Sequence, residues 1–263
     1  MTAPLLLVED LTIAFGGLVA ADHVNFEVHP GELLSLIGPN GAGKSTVFNL
    51  VSRLYDPTEG RIVFDGQEIT RMPPHAIPAL GIARTFQNIE LFEHATVLDN
   101  LLLGRHVHSG TRWWQELVFT PAVRRGELAH RERAERVIDL LDLQAVREQP
   151  VGGLAYGLRK TVELGRALCL EPRLLLLDEP SSGLNPEETE DLSHHLDDIL
   201  HDLGITVLMV EHHMGLVREV SDRVVALNSG RVLATGTAEE VQCHPEVVRA
   251  YLGDGADAGS PHE

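Results

Sequence analysis

Along this chain, short runs of apolar residues alternate with longer stretches in which apolar positions recur at helical spacing. Residues 5–8 and 24–28 read as early strands. Residues 33–37 predict a buried strand that ends in a glycine-rich turn, followed by a helix through 47–52. Residues 61–64, running into Asp65-Gly66, predict a strand entering a turn, and 82–86 predict another strand. From about residue 88 to 150 the pattern is helical. Within it, 124–143 sets Leu128, Ala134, Val137, Ile138 and Leu141 among many charges, as an amphipathic helix does. Strand patterning resumes at 174–177, then a helix over 186–203 and strands at 205–210 and 224–227. Asn228-Ser229-Gly230 signals a hairpin leading into 231–234. This order predicts an α/β fold with a largely parallel sheet and an inserted helical segment. The last ten or so residues, rich in Gly, Ala and Asp, read as a tail.

Composition narrows the function classes. At 263 residues the chain can hold one large domain or two small ones. A net charge of −18 argues against nucleic acid as the main partner, because phosphate backbones are held by clustered Lys and Arg. Cys169 and Cys243 form no CxxC pair or disulfide framework, which suits a reducing compartment. The N-terminal stretch lacks the basic and apolar regions of a signal peptide, and no apolar run approaches the roughly eighteen residues needed to span a bilayer. A cytoplasmic protein is expected, with any membrane role played through a partner.

Two motifs carry chemistry. Gly38-Pro39-Asn40-Gly41-Ala42-Gly43-Lys44-Ser45-Thr46 fits G-x-x-x-x-G-K-[ST], between a predicted strand and a predicted helix. Glycines there let successive backbone N–H groups and the helix N-terminus face phosphate oxygens. Lys44 would reach the β- and γ-phosphates, and the Ser45 hydroxyl would bind Mg²⁺. The second motif is the apolar run Leu174 to Leu177 ending in Asp178-Glu179-Pro180. Asp178 can hold Mg²⁺, largely through water, and Glu179 can polarise a water for attack on the γ-phosphate. Together they specify an enzyme that splits ATP.

With these motifs in place, the chain from about Leu5 to Gly253 resembles the ATP-binding subunits of ABC transporters. The resemblance implies a P-loop NTPase (RecA-like) core from residues 1–87 and 159–235, with an N-terminal antiparallel β subdomain. It implies a helical, signature-bearing subdomain at 88–158, C-terminal helices at 236–253, and a disordered tail at 254–263. By the same resemblance Phe15 stacks on adenine and Gln87 touches Mg²⁺ and the attacking water. His212 contacts the γ-phosphate, and Ser181-Ser182-Gly183-Leu184-Asn185 is the D-loop. Leu154-Ala155-Tyr156-Gly157-Leu158 sits where the family's signature motif lies, just before a helix, facing the nucleotide of a partner subunit. Ala155, Tyr156 and Leu158 depart from the commonest signature, Leu-Ser-Gly-Gly-Gln.

Several stretches are similar to one branch, the ATP-binding subunits of branched-chain amino-acid importers. They are Thr85 through Phe92, the Leu-Ala-Tyr-Gly signature, Asp178 through Pro186, and the ending Pro245 through Gly253. That branch implies a second ATP-binding subunit, identical or different, two transmembrane permease subunits and an extracytoplasmic binding protein, with this chain on the inner face of the membrane. Import of urea or amides, export, or a non-transport ABC function are the alternatives. His106-Val107-His108, His194-His195 and His212-His213 read as surface histidines rather than a metal site. Trp113-Trp114 fits either an interface or a loop anchor.

Overall fold

The first two strands run well past the apolar segments that predict them. In the computed structural model, which describes residues 3–85, 89–105 and 121–252, β1 spans Leu6–Phe15 and β2 spans Leu18–Val28, paired antiparallel. The polar pair Glu9-Asp10 interrupts the apolar run but not the strand. Asp10 takes a φ of 48° at a register shift between Val8 and Leu11, and its N–H donates to Asn25 Oδ1 at 2.9 Å. A bulge of this kind absorbs extra residues, so Leu11 and Ile13 return to the buried face.

The chain divides into two compact units, Met1–Pro74 with Thr206–Glu263, and His75–Ile205. In the first unit, β1 and β2 join β4 (Glu59–Phe64) and β5 (Gln67–Glu68) in an antiparallel sheet of order β2-β1-β4-β5. Its companion is a mostly parallel sheet. There β3 (Leu33–Ile37) lies between β8 (Thr206–Val210) and β9 (Arg223–Asn228), parallel to both. Strand β10 (Arg231–Gly236) pairs antiparallel with β9. Every residue of β3 and β8 is buried, as expected of parallel strands covered on both faces. The one hydroxyl in β3, Ser35, is satisfied by Ser221 Oγ at 2.7 Å. The predicted hairpin is present: Ser229 and Gly230 both have positive φ and close Asn228 onto Arg231. Helix α1 spans Lys44–Val51.

The second unit holds a parallel pair, β6 (Ile82–Arg84) and β7 (Leu174–Asp178), and its helices. Helix α2 (Val97–Gly104) opens on a capping box, in which Thr96 and Asp99 satisfy each other's backbone amides. It packs against α4 (Tyr156–Leu168), and the two backbones come so close that a β-carbon on Gly104 would collide with the Arg166 carbonyl. Helix α3 spans Pro121–Leu140, where 124–143 was predicted. Ala134, Ile138 and Leu141 are buried, but Leu128 is 53% exposed. At about 100° per residue Leu128 points roughly 100° away from the Ala134–Ile138 line, so the apolar stripe is narrower than its composition suggests. Helix α5 (Pro186–His201) starts on a second capping box, Asn185 with Glu188. In the first unit α6 (Met214–Val220), α7 (Ala238–Cys243) and α8 (Pro245–Leu252) complete the described chain.

Two cysteines sit in opposite environments. Cys169 is buried beside Arg105, whose guanidinium donates to the Cys169 carbonyl at 2.7 Å, and burial pushes its thiol up to about 12. Cys243 is exposed. The native protein at pH 8 should therefore release a single equivalent of chromophore with a disulfide reagent, and the second only in denaturant. Two fast equivalents in the native state would contradict the packing around Cys169.

Candidate functional site

Strand β3 carries the chain into the phosphate-type loop from a rigid position. Ile37, its last residue, is paired with Ala226 of β9, and Leu36 with Val210 of β8. Gly38 then turns at φ 150°, where a β-carbon would collide with the Leu227 carbonyl oxygen. Gly43 sits at φ 101°, and a β-carbon there would press on the Ala20 carbonyl. Both positions demand glycine. The outer side of the loop is braced by the β9–β10 turn: Gly230 N–H donates to Ala42 O, and Asp22 N–H donates to Gly230 O, each at 2.9 Å.

Lys44 is buried, and its Nζ donates to the Gly38 carbonyl at 2.7 Å and the Pro39 carbonyl at 3.1 Å. Helix α1 has Gly43 at its N-cap and no side-chain cap, so no side chain at its N-terminus competes with an outside acceptor for the first-turn N–H groups. Asn40, Gly41 and the Ser45 residue are exposed; Pro39 and Thr46 are half-buried. Glycine-turned backbone, a helix N-terminus without a side-chain cap and a lysine curled over the loop make an anion cradle.

The remaining candidates on this unit are placed differently. Phe15 ends β1 and meets Tyr55 edge-on, with ring centres 5.2 Å apart at 71°. His212 is exposed just beyond β8. Its backbone amide and that of His213 both donate to the buried Glu211 carboxylate, at 2.9 and 3.1 Å. Glu211 was not singled out in the sequence; its signal was a carboxylate ending an otherwise apolar strand.

On the second unit β7 places Asp178 at its end, 5% exposed, and Arg84 at the end of β6 donates to the Asp178 carboxylate at 2.9 Å. Glu179 follows in a left-handed conformation, φ 50°, uncommon for a non-glycine residue and found where neighbouring structure enforces it. Lys160 supplies part of that enforcement, donating to the carbonyls of Glu179 and Pro180 at 3.0 Å each.

The signature segment is not wholly a loop. Ala155 is the N-cap of α4, so Tyr156, Gly157 and Leu158 form the first helical turn, with Leu154 extended before it. No side chain caps this helix either. Tyr156 lies over Gly183, where a β-carbon would come within 2.9 Å of its ring, and Lys160 sits 5.7 Å above the ring centre. A β-carbon on Gly157 would collide with Glu188, the capping residue of α5. The signature turn, the 181–185 loop and the Glu179 turn are thus packed together. Arg84 and Lys160 were missed in the sequence as partners; each is a cation within two residues of a quoted motif, and spacing alone does not assign its partner.

Gln87 lies outside the described residues, as do His106, His108, Trp113-Trp114 and the 254–263 tail. His195 departs from the surface reading: it is half-buried on α5, and burial lowers its pKa. Among the described residues no group of three or more His, Cys, Asp or Glu could hold a metal ion.

Residues 21–182 match the family model described as "ABC transporter", about three-fifths of the chain. The chain belongs to the ABC transporter family. Residues 231–257 of this ABC subunit match a second model, "Branched-chain amino acid ATP-binding cassette transporter". It is 43% identical over 254 residues to the high-affinity branched-chain amino acid transport ATP-binding protein BraF of Pseudomonas aeruginosa, covering 97% of this chain and 100% of that one. LivG of Escherichia coli, named for the same role, is 41% identical over the same span. Among solved structures, a nucleotide-free ATP-binding cassette from an ABC transporter superposes with a TM-score of 0.83 at 31% identity, covering 96% of this chain and all of that one. The ADP conformation of an ABC transporter cassette gives 0.83 at 30%. The α/β fold with an N-terminal antiparallel sheet and a helical insertion is therefore that of an ABC ATPase, and ATP hydrolysis is its activity.

Replacing Arg84 by Met in this ABC subunit removes a cationic partner from a buried carboxylate. The variant should lose about 3 kcal/mol of stability by urea denaturation, and Asp178→Asn in the same chain should restore part of the loss. Strict additivity of the two changes would contradict the pairing.

Proposed function

We propose that this subunit binds MgATP at the loop around Lys44 and hydrolyses it to drive uptake of branched-chain or related hydrophobic amino acids. The carrying observation is the match of residues 231–257 to the branched-chain model, supported by full-length likeness to BraF and LivG. In this reading residues 38–46 hold the triphosphate: loop amides and the α1 N-terminus donate to its oxygens, and Lys44 exchanges loop carbonyls for β- and γ-phosphate. Phe15 meets the adenine.

Ser45, Gln87 and Asp178, the last through water, are the groups for Mg²⁺, which when bound would spread the phosphate charge. The hydroxyl of Ser45, an exposed residue, and the carboxylate of Asp178 are hard oxygen donors of the kind that ion prefers. Glu179 takes a proton from the hydrolytic water, His212 faces the γ-phosphate, and Leu154, Ala155, Tyr156, Gly157 and Leu158 present their amides to the nucleotide of a second ATP-binding subunit. A bacterial cassette 25% identical to this chain is described as dimeric. The dimer works on the inner face of the membrane with two transmembrane permease subunits, which receive substrate from an extracytoplasmic binding protein. Among the described residues no helix is long and apolar enough to cross a membrane, which leaves the crossing to those permeases.

Glu179→Gln tests the chemistry. ATP turnover in the assembled transporter should fall by about 10²–10⁴, while ATP affinity stays within about twofold. Turnover near the wild-type rate would remove Glu179 from the base role.

A further inference from the structure

Helix α4 reaches from the signature segment to the turn that follows Asp178. Tyr156 and Lys160 stand four positions apart on this helix, and so share one face. Tyr156 meets the 181–185 loop: its ring covers Gly183 so closely that a β-carbon there would come within 2.9 Å. The Lys160 ammonium sits 5.7 Å above the centre of that ring, within reach of a cation–π contact. It donates to the Glu179 and Pro180 carbonyls at 3.0 Å each. The Glu179 carbonyl also accepts from the Ser182 N–H at 3.1 Å. One half-buried cation therefore grips the two peptide groups that follow Glu179. The grip falls where the backbone most needs it. Proline favours an extended conformation in the residue before it, yet Glu179, which precedes Pro180, has a φ of 50°. Such a conformation persists only where the surroundings over-determine it.

We infer that Lys160 is a positioning residue for ATP hydrolysis: by clamping the carbonyls on either side of the Pro180 ring it keeps the Glu179 backbone left-handed, and so fixes where the carboxylate stands. Lys160 acts through backbone and not on the reacting atoms. Without the clamp Glu179 relaxes towards the extended backbone that Pro180 favours, and its carboxylate leaves its place. ATP affinity is a separate property, because residues 38–46 supply it.

The inference rests on Glu179 being the base, and the experiment separates the two. Turnover is measured in the assembled transporter, and ATP binding by calorimetry on the full-length subunit. The proteins are wild type, Lys160→Met, Lys160→Arg, Glu179→Gln and the double variant Lys160→Met with Glu179→Gln. Lys160→Met should lower kcat by about tenfold or more, since misplacing a group by about 1 Å costs up to about 10²-fold. Its Kd and its amount of ATP bound per subunit should match wild type. Lys160→Arg keeps the charge and the N–H donors and should recover most of the loss. In the Glu179→Gln background the methionine should cost no more than about twofold, because the group it positions is already gone. A kcat near wild type in Lys160→Met overturns the positioning role, and so does a fall in kcat matched by a loss of bound ATP. An arginine variant as slow as the methionine one, or an undiminished cost in the Glu179→Gln background, overturns it too. Wild-type turnover in Glu179→Gln would instead overturn the base assignment.

Discussion

A single junction governs the rest of the molecule: the passage from β3 through Gly38 into the loop. β3 is hydrogen-bonded on both edges and buried at all five positions. The chain leaves it at a point with no room for a β-carbon, because the Leu227 carbonyl occupies that space. A loop hung from such a strand cannot drift, and its amides keep their aim without a side-chain cap. Sheet burial, worth roughly 1.5–3 kcal/mol for each large apolar side chain, therefore also serves to aim an anion site. The β9–β10 turn braces the same loop from a further direction, through the Gly230 N–H on the Ala42 carbonyl.

The second unit solves a different problem, holding carboxylates in unfavourable settings. Asp178 is buried at a strand end and Glu179 is held in a left-handed turn. Cations from neighbouring elements hold both, Arg84 by its guanidinium and Lys160 through backbone carbonyls. Lys160 belongs to the same helix that begins in the signature segment. Motion of that helix would be felt at the Glu179 turn through two hydrogen bonds, a direct mechanical link between the signature segment and the residue after Asp178. Tyr156 at an unusual signature position has a local reason as well, since its ring covers the glycine of the 181–185 loop.

Much of this was legible because some residue types have few alternatives. Buried parallel strands read as unbroken apolar runs, and the loop glycines are forced by backbone geometry at Gly38 and Gly43. Asn228-Ser229-Gly230 turned as its composition demands. What stayed hidden depends on partners distant in sequence. The Arg84–Asp178 pair spans 94 positions. The bulge at Asp10 concealed half of β1, since it replaces alternation by a polar pair. Leu128 misled for the opposite reason: it belongs to a helical pattern but falls off the buried stripe. The start of α4 inside the signature segment was missed because Ala155 offers none of the usual capping chemistry.

The most direct measurement is a calorimetric titration of ATP into wild-type protein and the Lys44→Ala variant. The account predicts a saturable site in the wild type and affinity weaker by about tenfold or more in the variant, the scale of hydrogen bonds to a charged group. Equal affinity in both proteins would contradict it, because the loop would then not be where the triphosphate is held.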